Sequence, residues 1–399
     1  MTAAGPAPPP LRIVNAPPPA RPGLEPYRVL FPIGIVGGLL GSGLWPVAAL
    51  AGGYPAPAHR ALMILGFEMS FVLGFLLTAM PAFTRGTRCR PWELGAAALA
   101  QLVVVAAALA GVTAVMESGA LAAVLLVTVA LVRRVAASRA LPPEEFAFVA
   151  FALLAGIAGA TLRLMLAFGA GLSLPARFAE RLTSLGMVLP LVLGLGSLLV
   201  PTFTGMRDPL AIPFVAAPHE RRGRRGLYVT LVGVLALAFV AELAGRPGLG
   251  AWLRAAVGLV MVTLVWKLYR RPGLAGAPVS ALWLSGWMVA AGLVLAAAYP
   301  AHATAMLHVV FIGGFGLLTI GIGTRVVVSH GRHPLDLERA ALTPWVMAAF
   351  GAALAARLAA EILPGDAATW LAVSGIGWWL AWGIWSWRAV PALIRRGAP

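Results

Sequence analysis

The stretch MLHVVFIGGFGLLTIGIGTRVVVSHGRH, Met306 to His333, carries a single ionisable side chain, His308, before Arg325. So apolar a run crosses a ~30 Å hydrocarbon core, at ~1.5 Å per residue, as a helix that satisfies its own backbone. The rest of the chain obeys the same solvent. Of 399 residues 60% are hydrophobic and 11% charged, whereas an ordinary soluble domain is roughly 25% charged. Twelve runs are long enough to span, and the sequence predicts an all-α, polytopic membrane bundle of twelve transmembrane helices.

Basic residues orient the bundle. With the amino terminus inside the cell, most of the 30 Lys and Arg fall in short cytoplasmic segments, as the positive-inside rule requires. Both termini are therefore expected in the cytoplasm and the bundle in an inner membrane, in contact with the lipid bilayer. This placement also explains the formal charge of +16 without nucleic acid, because the arginines are dispersed rather than gathered on one basic face. Residues 1–27 hold too many prolines for a helix and read as a disordered cytoplasmic tail. Residues 388–399 form the second tail. The one cysteine, Cys89, permits no intrachain disulfide.

An internal period appears on comparing GFLLTAMPAFTR from Gly74, GLGSLLVPTFTG from Gly194 and GFGLLTIGIGTR from Gly314. Thr84, Thr204 and Thr324 close the three segments at equal offsets. Pro81 matches Pro201, Phe83 matches Phe203, and Arg85 matches Arg325. The segments end spans 2, 6 and 10, so the period is four spans, and each copy enters the membrane in the same direction. The expected architecture is three repeats of four helices, 28–138, 146–268 and 277–387, about a pseudo-threefold axis along the membrane normal, unlike an inverted repeat.

Ionisable groups inside a membrane are costly and point to a site. Span 2 begins at His59 and carries Glu68. Span 10 begins at His302 and carries His308, and span 5 carries Arg163. The offset of the repeat aligns Glu68 with His308, which predicts one polar site at matched depth. Histidines on two helices about one axis are candidates to ligate haem iron from opposite faces, through neutral imidazole nitrogen. Met63 follows His59 by four residues and Met306 follows His302 by four, so each thioether shares a face with its histidine and could complete a His/Met set or a Cu(I) site. Core methionines and hydrogen-bonded histidines are the plainer reading. His219, His330 and His333 lie in loops among arginines.

The segment HRALMILGFEMSFVLGFLLTAMPAFTR, His59 to Arg85, resembles the second-span signature of the NnrS family, W-H-x-H-E-M-x-x-G-F followed by G-F-L-L-T-A-x-P-x-x-T. HVVFIGGFGLLTIGIGTRVVVSHGRHP, His308 to Pro334, is similar to its later signature, and GSLLVPTFTG, Gly196 to Gly205, to its G-G-R-V-I-P-x-F-T. The resemblance implies a twelve-span membrane protein associated with haem and copper and with the response to nitric oxide. It places His59 on the first histidine of H-x-H-E, with Ala61 and Leu62 at the second histidine and the glutamate, and Leu198 at the arginine of G-G-R. A looser architectural likeness is to the main subunit of haem-copper oxidases, in which helices 2 and 10 hold haem. Spans 6 and 7 contain no histidine here, which argues against a binuclear centre of that kind.

The expectation is a haem-binding, NnrS-like protein, with copper as a secondary cofactor and nitric oxide as a partner. His59 and His308 are its leading axial ligands and His302 the next. The competing expectation is a metal-free permease-like or chaperone-like bundle, with Glu68, His308 and Arg163 lining a polar cavity. No reaction is assigned by the sequence.

Overall fold

The computed structural model describes residues 24–84, 86–138, 142–175, 177–206 and 218–395; the side chains of Ala82 and of residues 218–222 are not described. The expected tail lies outside the described residues up to residue 23, as do Arg85, Arg139 and the last four residues, 396–399, and with them the side chain of His219.

Among the described residues, twelve helices are long and apolar enough to cross a membrane: span 1 (Pro26–Ala51), span 2 (Ala56–Pro81), span 3 (Pro91–Ala110), span 4 (Thr113–Ala136), span 5 (Phe146–Ala167), span 6 (Phe178–Phe203), span 7 (Gly223–Leu243), span 8 (Pro247–Val265), span 9 (Ala277–Ala298), span 10 (Pro300–Gly331), span 11 (Pro344–Ile362) and span 12 (Ala367–Ile394). The protein is thus the expected all-α polytopic membrane bundle. Local chemistry sets the ends. Spans 1, 3, 8, 10 and 11 start with proline at the first turn, where the missing N–H has no intrahelical partner to lose. Glu93 of span 3 accepts from the Arg90 backbone N–H at 2.8 Å, and Asp366 caps span 12 by accepting from the Ala368 N–H at 2.9 Å, each satisfying an orphan donor. Gly111, at φ 72°, makes the left-handed turn between spans 3 and 4 that an L side chain resists.

Spans 2, 6 and 10 are the pillars of the bundle. Their most apolar windows are 78%, 83% and 72% buried, against 28–56% for the other nine. Around them the neighbour pattern returns every fourth span. Spans 4 and 5, 8 and 9, and 12 and 1 pack together; so do 1 and 3, 5 and 7, 9 and 11, and likewise 2 and 4, 6 and 8, 10 and 12. Thr84, Thr204 and Thr324 are all buried and donate their hydroxyls one turn back, to the carbonyls of Met80 at 2.8 Å, Val200 at 2.7 Å and Ile320 at 2.6 Å. Past two of them, Gly86 N–H bonds Pro81 O and Met206 N–H bonds Pro201 O, at 3.1 and 2.9 Å.

Each pillar contains a wide, π-helical turn: Leu62–Glu68 in span 2, Leu182–Val188 in span 6 and Val309–Gly316 in span 10. Such turns bond i to i+5 and re-aim the residues on either side of them. The first two correspond residue for residue across the offset of the repeat, but the third begins beyond His308. Glu68 therefore ends a wide turn while His308 precedes one. This is the physical reason that equal offset does not bring equal placement at these two positions.

Candidate functional site

His59 sits in the first turns of span 2, half-buried, and its Nδ1 lies 2.9 Å from the carbonyl oxygen of Gly41 in span 1. The close approach depends on glycine. A Cβ on Gly41 would stand 2.9 Å from Leu62 Cβ and 3.1 Å from Met63 Sδ. Small residues spaced by four at Gly34, Gly38 and at Gly37, Gly41 line the same seam, the way membrane helices bring backbones together. The ring of Trp45 stands edge-on to the His59 ring at 5.6 Å. His59 and Met63 do share a face, and it is turned toward Gly41.

His308 is the last residue of the α-helical turn of span 10 before its wide turn. Its Nδ1 lies 2.7 Å from the Thr304 carbonyl, one turn back, and its ring meets Phe311 edge-on at 5.8 Å. A carbonyl oxygen only accepts, so in both histidines Nδ1 is the donor, which leaves Nε2 with an in-plane lone pair in the neutral ring. Neither Nε2 has a hydrogen-bond partner among the described residues.

The charge of Arg357 in span 11 acts on both imidazoles, and that of His59 acts on His308. Arg357 lies 3.8 Å from Glu361, one turn on, and the other oxygen of Glu361 is 2.9 Å from Nδ1 of His302. His302 is exposed and takes the outer end of this chain of contacts. Met306 is half-buried near the same end of span 10. Sequence reasoning missed Arg357 and Glu361 as members of the cluster. Their spacing of four on one helical face, at the end of an otherwise apolar span, was the available signal.

The remaining candidates lie elsewhere. Glu68 is buried midway along span 2, where Thr319 of span 10 donates to its Oε2 at 3.2 Å. Arg163 pairs with buried Glu117 of span 4, its Nε 2.8 Å from Glu117 Oε1. The single polar site expected from the offset is divided in three: the histidine cluster, the Glu68–Thr319 contact and the Glu117–Arg163 pair.

Among the described residues no three His, Cys, Asp or Glu gather to hold a metal ion. A metal held by side chains alone needs such a set of three or four, whereas haem brings four nitrogens of its own and asks the protein for one or two axial donors. Two imidazoles with Nδ1 anchored and Nε2 free fit the second requirement. The anchoring bond is also the kind that fixes a ligand's tautomer and ring direction.

Comparison with known proteins adds two findings. The model of the family described as NnrS protein matches residues 24–396. No curated protein matches the chain.

Proposed function

The chain belongs to the NnrS family, and from that premise we propose that it is a haem-binding protein of the bacterial inner membrane, with both termini cytoplasmic, acting in the response to nitric oxide. His59 and His308 are the proposed axial ligands. The observation that supports the reading is the pair of Nδ1–carbonyl bonds, to Gly41 at 2.9 Å and to Thr304 at 2.7 Å, which leave the Nε2 lone pair of each histidine free to ligate. Arg357 adds a cation beside them, the group that a carboxylate substituent of haem would meet. Bound haem would supply an iron centre for nitric oxide. Copper is the secondary cofactor of this reading, with His302, Met63 and Met306 as its further donors, and it is less well served by the two-imidazole set.

Absorbance of the purified protein, supplied with haem, tests the proposal. His308→Ala removes a nitrogen donor that no neighbour replaces, because Thr304 is not a customary ligand to haem iron; the haem spectrum should be lost or strongly altered. His59→Ala should act less completely, since Met63 shares its face, and His219→Ala should leave the spectrum unchanged. A wild-type spectrum in His308→Ala, at equal protein and haem supply, would overturn the ligand assignment. Wild-type protein that takes up no haem would favour the metal-free, permease-like bundle.

A further inference from the structure

Where spans 2, 6 and 10 meet, a cavity of about 80 Å³ is lined by Phe71, Leu76, Leu191, Leu195 and Ile322, with Glu68 and Thr319 as its polar groups. It runs from Glu68 toward the ends of the pillars marked by Thr84, Thr204 and Thr324, away from His59 and His308. Glu68 is only 6% exposed. Among the described residues its one hydrogen bond comes from the neutral hydroxyl of Thr319.

Among the described residues the other buried acids in the membrane region are matched to arginine: Glu93 to Arg134, Glu117 to Arg163, Glu145 to Arg224, and Glu242 to Arg181 and Arg254. Glu68 has no such partner among the described residues. Span 1 has no ionisable group beyond Arg28 and Tyr27 at its start. Span 3 offers Glu93, which is paired, and Gln101, which bonds Ser70. In span 4, Glu117 and Arg134 are paired and Arg133 lies at the Glu93 end. Span 6 carries Glu180 and Arg181 at its first turn, paired to Arg60 and Glu242. Span 10 carries His302 and His308 at one end, and Arg325, paired to Glu338, with His330 at the other.

An ionised carboxylate in apolar surroundings with one neutral donor is the most costly form this group could take. We propose that Glu68 is a proton-binding carboxyl in the wall of the central cavity, loaded and unloaded through that cavity. The ligand is the proton itself, and the cavity has room for water molecules to carry it. This role is independent of metal binding at the histidines.

Infrared difference spectra between wild type and Glu68→Gln test it directly on the purified full chain. The wild type should show the C=O band of a protonated carboxylic acid at neutral pH, absent from Glu68→Gln. The band should shift on transfer to deuterium oxide and on Thr319→Val, which removes its hydrogen-bond donor. Raising the pH should bleach it, with a matching gain of carboxylate absorption. As a second measurement, a hydrophobic carbodiimide, which adds only to protonated carboxyls, should modify Glu68 and spare the arginine-paired Glu93, Glu117 and Glu242. Absence of any carboxylic band difference between wild type and Glu68→Gln at neutral pH would overturn the proposal. So would a band that deuterium oxide leaves unmoved in the folded protein, because a carboxyl sealed from water cannot load through the cavity. The histidine variants test haem binding separately, so failure of one proposal leaves the other standing.

Discussion

Gly41 is where one added carbon should be felt at a histidine. Its Cβ would stand 2.9 Å from Leu62 Cβ, so Gly41→Ala must push span 2 away from span 1 and lengthen the bond that anchors His59. The strain should cost about 1–3 kcal/mol, visible as a lower unfolding midpoint in detergent, and any haem signal that depends on His59 should weaken with it. Unaltered stability and an unaltered spectrum together would show that the seam tolerates the methyl. Cys89 gives a second prediction at this scale. Burial, with Glu93 beside it as the next cause, pushes its thiol up to about 12 from an ordinary 9.0. A thiol loses its proton only as pH approaches that value, so at pH 8 the reactive thiolate is scarcer than normal by roughly a thousandfold. Alkylation by iodoacetamide at pH 8 should therefore be slow in the folded protein, rise steeply with pH and become fast on unfolding. Rapid labelling of the folded protein at pH 8 would contradict it.

Among the helices, the buried ion pairs tie neighbours together. Arg134 Nη2 of span 4 lies 2.6 Å from Glu93 Oε2 of span 3, with both side chains under 5% exposed. Removing one partner strands a buried charge, at roughly 3–5 kcal/mol, while replacing both by apolar residues of similar size is close to neutral. Arg134→Ala should thus lower stability by that order, and Glu93→Leu with Arg134→Met should recover most of it; thermal unfolding of the three proteins measures the difference. The helices themselves were legible in the sequence, because a length of twenty apolar residues leaves a membrane segment no other structure. Thr84, Thr204 and Thr324 were legible too, from their equal spacing alone. The wide turns were not. An i to i+5 bond leaves no mark in apolar periodicity, yet it decides that Glu68 faces Thr319 and a cavity while His308 faces a different neighbourhood. Arg163 was visible as a cost in the membrane, but Glu117, its remedy on another helix, could not be assigned without the packing. His59 and His308 are legible by their rarity in apolar spans; Arg357 is legible only through its spacing of four from Glu361, and its nearness to both histidines depends on the packing of span 11.

At the scale of the whole molecule, charge asymmetry and helix count make a joint prediction. Reporter fusions after Arg139, Arg225 and Arg271 should all report cytoplasm, and fusions near Glu117, Gly250 and Pro364 the opposite side. A reversal across two adjacent loops would break the orientation. The threefold proposal for 28–138, 146–268 and 277–387 draws on the returning neighbour pattern, and an experimental structure should superpose the three units by rotation about the membrane normal; an inverted pair of halves would defeat it. The order in which the spans find one another has a further consequence, for synthesis. Glu68 meets Thr319 across 251 residues of sequence, and Trp379 of span 12 donates to the Leu39 carbonyl of span 1 across 340. At about 5–20 residues per second on the ribosome, span 2 waits roughly 10 to 50 s in the bilayer before its hydroxyl donor exists. During that interval an acidic side chain has only lipid, the insertion machinery or a half-built bundle for company. Until its last third arrives the young chain lacks the partners of Glu68 and Leu39, and a ribosome that stalls after span 8 leaves a product without spans 10 and 12 to close it.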